Sequence, residues 1–111
     1  MPPEECLFCT LYREGDHFAT ADGFVAIRDI NPQADTHLLV IPERHVDTFR
    51  EIAQFPPEEA KAMLEFVAHT ARDVGLDDYK VVVNVGPGAG QTIFHLHWHI
   101  LGGRIREPFA G

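Results

Sequence analysis

His95-Leu96-His97-Trp98-His99-Ile100-Leu101 sets three imidazoles at every second position, with bulky apolar residues between them. A period of two is the period of a strand, in which residues i, i+2 and i+4 share a face. The spacing predicts a strand from about Ile93 to Leu101, with His95, His97 and His99 on one face and Leu96, Trp98 and Ile100 in a core. Three readings of the imidazole face are chemically distinct. It could be a solvated face, though nothing in the composition accounts for three histidines in register. It could be a metal site, since His-x-His with a third imidazole binds zinc and leaves a position open for catalysis. Or one neutral imidazole attacks an electrophile while its neighbours bind the departing group or an anion.

The residues before this segment favour nucleophilic chemistry. Gly86-Pro87-Gly88-Ala89-Gly90-Gln91-Thr92 leads straight into it. Glycines permit tight turns and close approach of a ligand to main-chain N–H groups, which suit a phosphate. The Thr92 hydroxyl adds a donor. Alone such a loop is an ordinary turn; joined to the histidines it reads as a phosphate cradle. A second constellation, Cys6-x-x-Cys9, reads as a metal half-site or a redox pair. The redox reading needs a helix start in a thioredoxin-like βαβ context, which the pattern lacks.

These groups need elements to position them. The chain of 111 residues is read as one domain, 1–111, long enough to bury a core. Its net charge of −8 argues against a nucleic-acid backbone as partner. No apolar run is long enough to span a bilayer, so no membrane partner is expected. Met1–Cys6 lacks the basic and apolar regions of a secretory signal, which sets a cytoplasmic expectation. Glu4–Tyr12 reads as a short helical turn carrying the cysteines. Asp22-Gly23 is a turn signal, followed by a strand over Phe24–Ile27. Asn31–Asp35 reads as a loop, and Leu38–Ile41 as a strand covered on both faces and stopped by Pro42. Ala60, Met63, Leu64, Val67, Ala71 and Val74 form one apolar stripe on a helix from Pro57 to Val74, with Gly75 as its cap. Lys80–Val85 is a further strand. Several strands around one long helix predict an α+β domain with a largely antiparallel sheet.

The motif HLHWHIL, with CLFC, RDINPQADTHLLVIPERH, VVVNVG and GQTIFHLHWHILGGR, resembles the histidine-triad family of nucleotidyl hydrolases and transferases over nearly the whole chain. LGGR after the triad is similar to the nucleotide-binding, purine nucleoside phosphoramidase branch. The resemblance implies about five strands, one long helix, a short N-terminal helix and a homodimer. It also implies roles. His97 would be the nucleophile toward the α-phosphorus, held by the His95 carbonyl, and His99 would assist the leaving group. His37 would be a fourth active-site histidine beside His97. Asn84, Gly90, Gln91 and Thr92 would bind phosphate, and Asp29 the ribose hydroxyls. Leu7, Phe8, Leu11, Ile27 and Ile30 would form the base slot, although core packing explains the same residues.

By the same resemblance Cys6, Cys9, His45 and His95 would hold a structural zinc, a closed Cys2His2 set, with no catalytic metal. His17 and His69 match nothing and are expected on the surface. The implied reaction is hydrolysis of a purine nucleoside 5′-monophosphate conjugate, such as a phosphoramidate or an aminoacyl adenylate, through a nucleotidyl-histidine. Three alternatives remain at this point: a dinucleoside polyphosphate hydrolase or nucleotidyl transferase, a nucleotide-binding regulatory module with vestigial activity, and a catalytic zinc hydrolase. The tail, Arg104–Gly111, departs from the aromatic-proline ending of many relatives.

Overall fold

The computed structural model describes residues 6–106. Five strands form one antiparallel sheet in the order β1-β2-β3-β5-β4: β1 (Ala19–Ala21), β2 (Phe24–Arg28), β3 (Ala34–Pro42), β4 (Lys80–Val82) and β5 (Trp98–Ile105). Two helices lie against it, α1 (Leu7–Glu14) and α2 (Pro57–Asp73), with a 3-10 segment at Phe49–Gln54. The α+β architecture with one long helix and a short N-terminal one is therefore as expected.

Alternation along the strands separates two faces. Leu38, Val40, Trp98 and Ile100 join Met63, Val67 and Ala71 of α2 in one buried cluster. Val25, Ile27, Leu39 and Ile41 face the other way and pack with Cys6, Phe8 and Cys9 around α1. Leu39 pairs with His99 and Val40 with Trp98, so the histidine belongs to the α1 face and the tryptophan to the α2 face.

Several element limits differ from the expectation, each for a tertiary reason. The triad does not lie within one strand: β5 begins at Trp98, so His95 and His97 occupy the irregular segment before it. The alternation still holds, because Leu96 and Trp98 sink into the α2-side core. β3 starts at Ala34, inside the expected loop, and carries through Pro42, because Ala34 pairs with Ile105 and Pro42 with Phe24. β4 is only Lys80–Val82, an edge strand shorter than Lys80–Val85. β1 was not anticipated; its three residues pair with β2 across Asp22-Gly23, where Gly23 takes φ +92°. The N-terminal helix runs Leu7–Glu14, and residues 4 and 5 of the expected turn lie outside the described residues. On α2 the buried stripe is Met63, Phe66, Val67, Thr70 and Ala71, whereas Leu64 is 52% exposed. Pro57 and two first-turn glutamates open this helix, and Gly75 follows it at φ +93°.

Candidate active site and metal cluster

His97 is buried, and its Nδ1–H donates to the His95 carbonyl at 2.7 Å. That bond leaves the Nε2 lone pair unprotonated in the neutral ring. Burial pushes the His97 pKa below its ordinary value, only partly offset by the carbonyl bond and Asp29. The neutral form is the nucleophilic one. Phe8 of α1 meets the ring edge-on, with centroids 4.8 Å apart.

Beside it runs a polar row. The backbone N–H of Gln33 donates to His37 Nδ1 at 3.0 Å, and His37 Nε2 lies 2.9 Å from His99 Nδ1. A backbone amide is always a donor, so neutral His37 carries its proton on Nε2 and presents it to His99. Neutral His99 accepts on Nδ1 and therefore carries its own proton on Nε2. Burial lowers the His37 pKa, and Asp29 opposes that shift. The sheet register builds the row: His37 pairs with Leu101, placing His99 two residues away on the same face of β5. Asp29, His37 and His99 lie close enough to share an ion. The donor pattern disfavours one, because His37 would have to lose its only proton to offer Nε2 to a metal.

Cys6, Cys9, His45 and His95 have the opposite pattern. His95 Nε2–H donates to the Pro42 carbonyl at 2.8 Å and His45 Nε2–H to Asp47 at 3.0 Å. Both Nδ1 lone pairs then face inward, 3.0 Å apart, with His95 Nδ1 3.4 and 3.5 Å from the Cys6 and Cys9 sulfurs and His45 Nδ1 3.2 Å from Cys9. A tetrahedral metal with N and S arms has edges of about 3.3–3.8 Å, close to these separations. Two lone pairs at such a distance repel unless a proton or cation lies between them. Outward N–H groups bound to a carbonyl or carboxylate are the usual support for metal-binding imidazoles. Burial holds His95 neutral, its pKa pushed down to about 4. Burial and Cys6 raise the Cys9 thiol to about 11, so thiolate formation needs a cation here. The Cys9 N–H donates to the Cys6 sulfur at the start of α1. The pair thus does sit at a helix start, but over an antiparallel sheet and not in a βαβ unit.

The glycine loop is tied down from within. Gly86 and Gly90 take φ +86° and +92°, which side-chain-bearing residues rarely adopt. The N–H groups of Ala89, Gly90 and Gln91 all donate to carbonyls of Gly86 or Pro87. The Gln91 amide accepts from Gly86 N–H and donates to the Asp47 and Ile93 carbonyls. Gln91 therefore holds the loop against the segment after His45, and the expected cradle of loop amides is largely self-satisfied. Asn84 behaves differently: its Nδ2 is buried without a hydrogen-bond partner among the described residues. Asn84 follows two residues after the end of β4, where Val82 pairs with His99. Thr92 is exposed.

Residues 13–105 match the HIT domain model. The chain belongs to the HIT domain family. It is 33% identical over 110 residues to the purine nucleoside phosphoramidase of Escherichia coli K12, covering 95% of this chain and 92% of that one. A HIT family hydrolase from Legionella pneumophila superposes with a TM-score of 0.80 at 33% identity, over 96% of this chain and all of the other. A Zn-bound histidine triad family protein from Mycobacterium smegmatis gives 0.74 at 28% identity, over 97% and 86%. This HIT protein is a hydrolase.

The fold brings the named site residues of the HIT chain into two adjoining groups. His97, His99, His37, Asp29 and Phe8 share one, and Cys6, Cys9, His45 and His95 the other. Ile27 is buried beneath α1, whereas Ile30 is 92% exposed and Leu7 half exposed, so the expected apolar slot is divided between core and surface. His69 is exposed, while His17 is partly buried against the Leu11 carbonyl. Sequence reasoning missed Asp47, which sits two residues after His45 and could have been sought there. It also missed the Gln33 amide and the Pro42 carbonyl, backbone groups without a residue-type signal. Among the described residues no helix is long and apolar enough to cross a membrane.

Proposed function

We propose that this HIT hydrolase cleaves purine nucleoside 5′-monophosphate conjugates, phosphoramidates or aminoacyl adenylates, through a nucleotidyl-His97 intermediate. The observation carrying this reading is the His97 Nδ1–H bond to the His95 carbonyl, which aims an unprotonated Nε2 away from the backbone. That nitrogen forms a bond to the α-phosphorus as the bond to the leaving nitrogen or oxygen breaks. His99 Nε2 faces the departing atom, and water then displaces His97. Asn84, whose buried Nδ2 has no hydrogen-bond partner among the described residues, and Thr92 bind the phosphate oxygens, assisted by Gly90, while Gln91 acts by holding the loop. Asp29 takes the ribose hydroxyls. Ile30, exposed next to it, and Phe8 and Ile27 border the base.

The inward lone pairs of Cys6, Cys9, His45 and His95 fit a structural zinc. When bound it ties α1 and the segment after β3 to the residue that orients His97. We further propose that the chain acts as a homodimer; the exposed Val81 of edge strand β4 and Leu64 of α2 support a partner on that side. The test is rapid quenching with adenosine 5′-phosphoramidate followed by peptide mass spectrometry. The expected result is one nucleotidyl group on His97. Turnover with no such adduct, together with full activity in His97→Ala, overturns the proposal.

A further inference from the structure

Asp47 belongs to two hydrogen-bonded systems at once. Its Oδ1 accepts the His45 Nε2–H at 3.0 Å, on the ring nitrogen turned away from Cys9. Its main-chain carbonyl accepts from Gln91 Nε2 at 2.8 Å. Gln91 is buried, and the rest of its amide is engaged as well. Nε2 also donates to the Ile93 carbonyl at 3.0 Å, and Oε1 accepts the Gly86 N–H at 2.9 Å. A side-chain amide with both N–H groups and its oxygen bonded has little freedom to turn. The residues flanking Asp47 are fixed too. The Val46 carbonyl accepts the Leu96 N–H at 2.8 Å, and the Thr48 side chain caps the 3-10 segment that follows. A shift of His45 therefore passes along this segment to the glycine loop and is not taken up by slack chain.

We propose that Asp47 couples the two sites: a metal held by Cys6, Cys9, His45 and His95 and a nucleotide phosphate at the Gly86–Thr92 loop strengthen each other's binding through Asp47 and Gln91. The inference rests on the nucleotidyl-transfer reading and the zinc fit above. It makes Asp47 a positioning residue, bonded to a ligand of one site and to the loop of the other. Such coupling needs an element with two arrangements that both sites bias. His45 is that element. Its side chain is 13% exposed, whereas His95 is fully buried and held by the Pro42 carbonyl. Their Nδ1 lone pairs lie 3.0 Å apart, so without a cation between them His45 is the ring that is pushed outward. A cation on Nδ1 draws it back and polarises the Nε2–H toward Asp47. Asp47, so held, keeps its carbonyl on Gln91, and Gln91 keeps Gly86 at φ +86°. The reverse direction follows from linkage: the phosphate tightens the metal by the factor with which the metal tightens the phosphate.

A second path leads from the cluster through α1, where Cys9 follows Phe8, the residue against His97. That path ends at the base and predicts coupling by a nucleoside alone. The Asp47 path ends at the phosphate, and this difference separates the two.

The experiment measures the zinc affinity of the full chain by competition with a chromophoric chelator, alone and with saturating adenosine 5′-monophosphate or adenosine. The monophosphate is expected to tighten zinc about fivefold, and adenosine to leave it unchanged. Calorimetry should find the same factor for the monophosphate when zinc is added. In Asp47→Ala the factor should vanish, and Asp47→Asn, which keeps an acceptor for His45, should restore most of it. A merely structural Asp47 would weaken both affinities and leave the factor as it was. Equal effects of adenosine and the monophosphate, or an undiminished factor in Asp47→Ala, overturn the inference and leave the nucleotidyl reading intact. A wild type that binds zinc but no monophosphate overturns both, and one that binds no zinc overturns the inference with the zinc assignment. Should the metal-free chain or Asp47→Ala fold poorly, nitrogen NMR of zinc-loaded wild type decides. The monophosphate is expected to shift the His45 Nε2–H and Gln91 side-chain amide resonances, and adenosine is not; resonances that the monophosphate leaves in place sink the idea.

Discussion

Around Cys6, Cys9, His45 and His95 the side chains turn lone pairs inward and the ring N–H groups outward. Along Gln33, His37 and His99 donor and acceptor alternate. Both groups are built from buried or half-buried imidazoles a few ångströms apart, and His95 and His99 come from the same seven-residue motif. Residue type therefore does not separate a group fit to hold a metal from a row that passes a proton; the hydrogen bond on the far nitrogen of each ring does. The Pro42 carbonyl makes His95 a lone-pair donor to the cluster, and the Gln33 amide makes His37 a proton donor to its neighbour. His97 stands between the two: its ring is the proposed nucleophile, and the carbonyl that orients it belongs to His95 of the cluster.

If the contrast is right, damage to one group strikes turnover and damage to the other strikes stability. The largest effect is expected from His97→Ala, a loss of kcat/KM beyond about 10³-fold with thermal unfolding little changed; near-normal turnover breaks the assignment. Next, stripping metal with a chelator, or Cys9→Ser, should lower the unfolding temperature by about 10 °C or more, because metal binding energy at such a site is folding energy. Calorimetry before and after zinc restoration measures it. A chelated protein that loses activity but no stability would make the cluster catalytic. His37→Gln should cost about 10²-fold in kcat with zinc content unchanged by elemental analysis; a parallel loss of zinc would merge the two groups.

A smaller effect concerns pH. His95 is held neutral in the fold, its pKa taken from 6.5 to about 4. Below pH 6.5 the unfolded chain binds the proton that the folded one refuses, so stability falls as pH falls through that window. Urea unfolding of metal-free protein should lose about 2 kcal/mol between neutrality and pH 4.5. An unchanged midpoint would mean that His95 is not buried neutral. The smallest effect is expected for Ile30→Ala, a several-fold rise in nucleotide KM with stability shifted by less than about 0.5 kcal/mol.

Much of the site was legible from types and spacing. HLHWHIL announced alternation, and Leu96, Trp98 and Ile100 do fill the core beneath α2. The Cys6-x-x-Cys9 pair and His45 meet at His95 as the resemblance implied. Element limits were less legible. β5 starts at Trp98 because pairing with Val40 begins there, and β3 starts at Ala34 because a distant residue, Ile105, offers it a ladder. Leu64 fits the helical stripe yet is exposed, since the stripe is centred one position round, on Met63, Phe66, Val67 and Thr70. The glycine loop misled in another way: its flexibility was visible, but not that its amides bond among themselves and to Gln91.

The linear chain by itself determined the kinds of group present, the two faces that alternation must separate, and the family to which they belong. Only the folded sheet decided which nitrogen of each ring carries a proton. That choice is made by partners far along the chain, among them the Pro42 carbonyl for His95 and, for His99, a His37 whose own proton the Gln33 amide fixes. Backbone N–H and C=O groups are the same at every residue, so their positions are set by pairing and register and leave no trace in side-chain type.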